Sequence, residues 1–157
     1  MGLARAPILR RYGSVHYLPL YEEPLVVAVA ASHALAGQAG TTVAALRHEC
    51  FVATPHLERG GLSHHVAELC RAQGFQPAPA PVRSRKWSQL ALVQGGLRHR
   101  HGSPVHGALA PEGVRLLPLQ GEGCTSGVMA LYRYGAPPLV RHFTDALSRL
   151  GAGFASS

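Results

Sequence analysis

Pro24-Leu25-Val26-Val27-Ala28-Val29-Ala30-Ala31-Ser32-His33-Ala34-Leu35-Ala36-Gly37 is the stretch that decides how this chain folds. Leu25 to Ala30 is a short, unbroken apolar run rich in β-branched valine, with a proline in front. Alternating apolar and polar residues would mark a strand with one wet face. An unbroken run marks a strand covered on both faces, as in a parallel or mixed sheet between helices. The small residues that follow, Ser32 to Gly37, take the chain out of the sheet.

Before this run, Gly2 to Ala6 reads as the end of a strand, and Tyr12 to Tyr21 as a segment that Pro19 restricts to an edge or a bend. After it, Thr41 and Thr42 can both cap a short helix from Val43 to Arg47, with Leu46 pinning it to the sheet. Cys50 to Ala53 is a second buried strand, ended by Thr54-Pro55. The strongest helix runs from Leu62 to Gln73, because Leu62, Val66, Leu69 and Cys70 form one continuous stripe. Gly74 supplies a left-handed stop, and Phe75 can fold back on the last turn. Pro77 to Pro81 is extended, and Val82 belongs to a strand. A second helix from Lys86 to Gln94 offers Trp87, Leu90 and Val93 to the core and ends at Gly95-Gly96. Val114 to Leu119 and Val128 to Tyr134 are strands. Pro137 opens a last helix whose apolar face is Leu139, Phe143, Leu147 and Leu150. Strands alternating with helices predict an α/β fold with a largely parallel sheet.

At 157 residues the chain can build one domain or two small lobes. A hydrophobic fraction of 46% against 15% charged residues indicates a globular protein. No run approaches the roughly 20 apolar residues that span a bilayer, and the N-terminus has no apolar signal core behind Arg5, Arg10 and Arg11. Cys50, Cys70 and Cys124 are an odd set without metal-ligand spacing, as expected of reduced thiols in the cytoplasm. The net charge of +7 invites a nucleic-acid reading. Against it, the arginines are scattered, Lys86 is the single lysine, and no helix-turn-helix, zinc-finger or RNA-recognition signature is present.

Five motifs, in one order, resemble the effector-binding domain of LysR-type transcriptional regulators. Gly2-Leu3-Ala4-Arg5 resembles the end of a first-lobe strand, and Glu23-Pro24-Leu25 with Ser32-His33-Ala34-Leu35-Ala36 resembles the family's central signature, with Ala34 in place of its usual proline. Leu69 to Pro77 resembles its Gly-Phe helix exit, Leu92 to Leu97 its Leu-Val-Ala-Ala-Gly-Leu turn, and Pro111 to Leu119 its return strand. The resemblance is greatest to the branch that controls aromatic-compound degradation. It implies a periplasmic-binding-protein-like (type 2) α/β fold of two lobes with a small effector between them. On that pattern residues 1–21 are the end of a first-lobe strand and the crossover, 22–113 a nearly complete second lobe, 114–150 the return strands and C-terminal helix of a partial first lobe, and 151–157 a disordered tail. The family's N-terminal helix-turn-helix and the opening half of its first lobe are expected to be missing. Arg98 to His106 departs from the family's apolar strand, and a local frame slip in the coding sequence would account for it.

The site implied by the resemblance faces the cleft: Thr54, Pro55 and His56 after the second buried strand, the Gly60-Gly61 start of the long helix, and Ser88 and Gln89 in the second helix. The Gly60-Gly61 entry leaves unpaired amides at the helix start, which suit a carboxylate, although caps and turns use the same residue types. Two other chemistries are weaker. His99, His101 and His106, or His64-His65, have no acidic or cysteine ligand at metal spacing. Ser63-His64 and Cys70 lack an orienting acid, and the Gly121 to Gly127 loop lacks a phosphate-loop lysine. The expectation is therefore a non-enzymatic, cofactor-free cytoplasmic sensor of a small carboxylate, homo-oligomeric in the intact family and reaching DNA only through a helix-turn-helix absent from this chain. The alternatives are a solute-binding-like module without a transcriptional role and a non-functional truncated product.

Overall fold

The computed structural model describes residues 1–52, 60–80, 100–102 and 112–154. The expected strand forms as β3 (Val26–Ala30), and both its faces are covered. Leu25, Val27 and Val29 face one cluster with Leu46, Phe51, Val66, Cys70, Leu117 and Leu119, while Ala28 joins Val52, Ala80 and Val114 in another. Fully burying a side chain of this size is worth about 1.5–3 kcal/mol. The apolar run is thus the wall between two cores.

The neighbours of β3 correct the expectation of a largely parallel sheet. It pairs antiparallel with β7 (Arg100–Gly102), Val27 opposite His101, and antiparallel with β8 (Val114–Gln120), Val27 opposite Leu117. Among the described pairings only two are parallel: β8 with β4 (Thr41–Thr42), and β5 (Cys50–Phe51) with β6 (Ala78–Pro79). The four-stranded sheet has the order β4-β8-β3-β7. A strand covered on both faces reads as an apolar run whichever way its neighbours point, so the run could not report their direction. Pairing uses backbone groups alone, which is how Arg100 to Gly102 forms a strand despite its composition.

A second sheet, of order β1-β9-β2, holds β9 (Thr125–Arg133) antiparallel between β1 (Gly2–Arg5) and β2 (Val15–Pro24). β2 is an edge, and its register slips between Pro19 and Tyr21, where proline cannot donate. The chain crosses between the sheets twice, side by side: the Leu25 amide donates to the Cys124 carbonyl at 2.9 Å, and Leu119 donates to Leu25 at 2.9 Å.

Helix α1 (Leu62–Ala72) buries Val66, Ala67 and Cys70, with Leu62 and Leu69 packed against the same core. It stops as the sequence predicts: Gly74 has φ +74° and the Phe75 amide donates to the Cys70 carbonyl at 3.1 Å. The Arg47 guanidinium then covers the Phe75 ring at 5.2 Å. Of the two threonines, Thr42 caps, accepting from the Ala45 amide at 3.3 Å. Thr41 is buried in β4. The expected helix from Lys86 to Gln94 lies outside the described residues.

The last helix, α2 (Pro138–Phe154), continues past Leu150 and turns a different face inward than its apolar stripe suggests. Thr144 is 1% exposed, whereas Leu139 and Phe143 are 76% and 49% exposed. Thr144 tolerates burial because its hydroxyl donates to the Arg141 carbonyl at 2.8 Å, leaving no orphan group. Among the described residues no helix is long and apolar enough to cross a membrane.

Candidate functional site

The start of α1 meets the three-stranded sheet where the segment after β1 turns back. The Ala6 amide donates to the Gly127 carbonyl at 2.9 Å, and the Gly61 amide donates to the Pro7 carbonyl at 2.8 Å. Gly60 and Gly61 have φ of +80° and +77°, and a Cβ on Gly60 would sit 2.1 Å from the Pro7 oxygen. Only glycine permits this approach. Gly61 caps α1 without a side-chain bond, and the helix is fixed from its other side by His65, whose Nε2 lies 2.9 Å from the Gly123 carbonyl oxygen.

A cleft of about 500 Å³ opens at this junction, lined by Gly60 and Gly61 just before α1 and by Arg5, Arg10, Tyr12, Tyr17, Tyr132 and Arg133 from the sheet and its loop. Its size is that of a small-molecule site. No aspartate or glutamate is among its described lining residues. Arg5 Nη2 donates to both carboxylate oxygens of Glu23, at 3.2 and 3.3 Å, and Arg5 Nη1 is buried without an acceptor among the described residues. The Tyr17 hydroxyl accepts from the Tyr12 amide at 2.8 Å, and the Arg11 guanidinium covers the Tyr17 ring at 5.3 Å. These contacts hold the loop against β2.

Of the residues named from sequence, Gly60 and Gly61 reach the cleft, while Thr54, Pro55, His56, Ser88 and Gln89 lie outside the described residues. One detail is corrected: the Gly61 amide, expected unpaired, is taken by Pro7. The close packing of the two segments, which the glycines make possible, costs the helix start one of its donors. The arginines and tyrosines were missed because Arg5, Arg10 and Arg133 read as scattered until β1 and β9 pair. The one local hint was the Arg10-Arg11-Tyr12 cluster.

The remaining reactive groups have other occupations. His64 Nε2 lies 3.7 Å from Glu68 on the next turn of α1, and among the described residues no group of three His, Cys, Asp or Glu is arranged around a metal position. His99 and His106 lie outside the described residues. Burial pushes the Cys70 thiol up to about 11 and raises Cys124 as well, so both are thiols at neutral pH.

Two linked sheets with helices packed on them, and a cleft between the three-stranded sheet and the start of α1, make a periplasmic-binding-protein-like (type 2) α/β effector domain. Residues 1–152 match the LysR substrate binding domain, and the chain belongs to that family. Solved relatives agree on the fold. The BenM effector binding domain with its effector benzoate has a TM-score of 0.81 at 17% identity, over 98% of this chain and 70% of that one. Full-length CbnR complexed with its target DNA has 0.79 at 18%, over 96% and 53%. An OxyR C206 mutant from Corynebacterium glutamicum has 0.77 at 18%, over 98% and 51%. The chain spans about half the length of the CbnR and OxyR chains it matches. Comparison with curated protein sequences returns no match.

Proposed function

We propose that this chain is the effector-sensing part of a LysR-type regulator in the cytoplasm, without enzymatic activity. It takes a small anionic metabolite, of the kind formed in aromatic-compound degradation, in the cleft between its lobes. The observation that carries this reading is the cleft itself, with three arginines, three tyrosines and no acidic described lining residue. A carboxylate there gains charge-assisted hydrogen bonds, and a ring gains tyrosine faces. Thr54, Pro55, His56, Ser88 and Gln89 complete the site in this proposal. Because the two crossings run side by side, a ligand that holds the sheets together favours one arrangement of them over another. The signal is then a shift of population rather than a reaction. In the intact regulator that shift acts on DNA through a helix-turn-helix and a homo-oligomer.

The test is a calorimetric titration of the chain with benzoate, repeated on Thr54→Val. Saturable binding that Thr54→Val weakens supports the reading. Absence of binding at millimolar benzoate and other aromatic acids refutes it.

A further inference from the structure

The last helix keeps part of its apolar surface out of the core. α2 packs on β2 with Thr144 buried and Val140 and Leu147 half-buried beside it, and leaves Leu139, Phe143 and Ala146 exposed. Those three stand at i, i+4 and i+7, the spacing of a seam along which one helix packs against another. A single exposed leucine needs no explanation. A leucine and a phenylalanine one turn apart on one seam mark a contact surface.

The flanks of the seam decide what kind of partner fits it. With Phe143 at an a position, Val140 and Leu147 take the e positions, on the side where the helix meets its own domain. His142 and Arg149 take the g positions, and both are exposed. Arg149 is held there, its Nε donating to the Asp145 carbonyl at 3.3 Å. Asp145 is the one acid from 138 to 149 and stands at neither flank. A second copy of the chain suits this seam poorly. Antiparallel pairing would set the g positions of one copy against those of the other, cation against cation, between two chains of net charge +7. A flat anionic membrane suits it no better. Successive residues of a helix point about 100° apart, so a seam through Phe143, next to buried Thr144, faces sideways along the domain, and a membrane would meet His142 and Arg149 first.

We infer that this outer seam of α2 docks a helix of another protein, one with apolar residues at heptad spacing and acidic residues at the flanking positions. Leu139 and Phe143 bury against its apolar stripe, while His142 and Arg149 face its carboxylates. The test is fluorescence anisotropy of a labelled three-heptad peptide, Leu at a and d and Glu at e and g, titrated with the 157-residue chain. The same peptide with Lys at e and g is the control. Like charges at every flank keep either peptide from pairing with itself. The acidic peptide should bind, more weakly as salt is raised, and the lysine peptide about tenfold more weakly or not at all. Phe143→Ser, which keeps the net charge, should weaken the acidic peptide about tenfold, and Arg149→Gln about threefold to fivefold. Both positions are exposed, so the variants should melt as the wild type does; Leu139→Ser, at 76% exposure, repeats the test at the most exposed point of the seam. No binding of the acidic peptide, equal binding of the two peptides, or binding that both serine variants leave unchanged overturns the assignment. A dimer in sedimentation that Phe143→Ser dissociates also overturns it, giving the seam to a second copy. So does binding to phosphatidylserine vesicles that needs Phe143, by a chain that ignores the peptide.

Discussion

Glu23→Gln removes the negative charge that faces Arg5 while keeping the side chain's shape. Arg5 on β1 and Glu23 at the end of β2 reach each other across β9, so the pair ties both edges of the three-stranded sheet together. Its side chains are 27% and 8% exposed. Breaking a fully buried pair costs about 3–5 kcal/mol, and an exposed pair contributes about 0.2–1 kcal/mol. This pair lies between those limits. Because Arg5 Nη1 already has no acceptor among the described residues, the guanidinium has little else to fall back on, and a loss of about 2 kcal/mol is expected. For a domain of this size that lowers the melting temperature by about 4–8 °C, read by far-UV circular dichroism. A double variant, Arg5→Met with Glu23→Leu, should lose less than the sum of the two single variants, because it leaves no buried charge behind. A Glu23→Gln melting point within about 1 °C of wild type, or strictly additive losses, would refute the role of the pair.

Three further outcomes follow from the packing. Gly60→Ala should destabilise far more than Gly135→Ala: both have positive φ, costing about 1 kcal/mol, but only at Gly60 does the added Cβ meet the Pro7 carbonyl, and thermal melts of the pair separate strain from clash. Leu46→Ala, at a site 1% exposed, should cost about 2–4 kcal/mol, whereas Phe143→Ala, at 49%, should cost under about 1 kcal/mol, as urea denaturation will show; the reverse order would restore the apolar-stripe face of α2. Iodoacetamide at pH 8 should label exposed Cys50 on the folded chain and reach Cys70 only after unfolding. The Cys70 thiol holds its proton longer folded than unfolded, so its contribution to stability is complete below about pH 9 and is lost as pH rises toward about 11.

How far the sequence could be read depended on whether the relevant interaction was local. Gly60-Gly61, named from the sequence as the start of the long helix, does lie in the wall of the cleft. The cleft's cations were not legible. Arg5, Arg10 and Arg133 come together only through β9, and nothing in their spacing says so. Local pattern also misplaced the inner face of α2, where a threonine that satisfies its own hydroxyl replaced the apolar residues in the core.

The sequence alone determined β3 as a strand covered on both faces, the stripe of α1, and the Gly74-Phe75 stop. Each follows from side-chain period or turn chemistry within a few residues. Tertiary structure decided that β3 lies antiparallel between β7 and β8, that Pro7 takes an amide at the start of α1, and that three arginines share one cleft. Those outcomes are set by pairings between segments distant along the chain, and a backbone hydrogen bond carries no mark of its partner in the residues on either side.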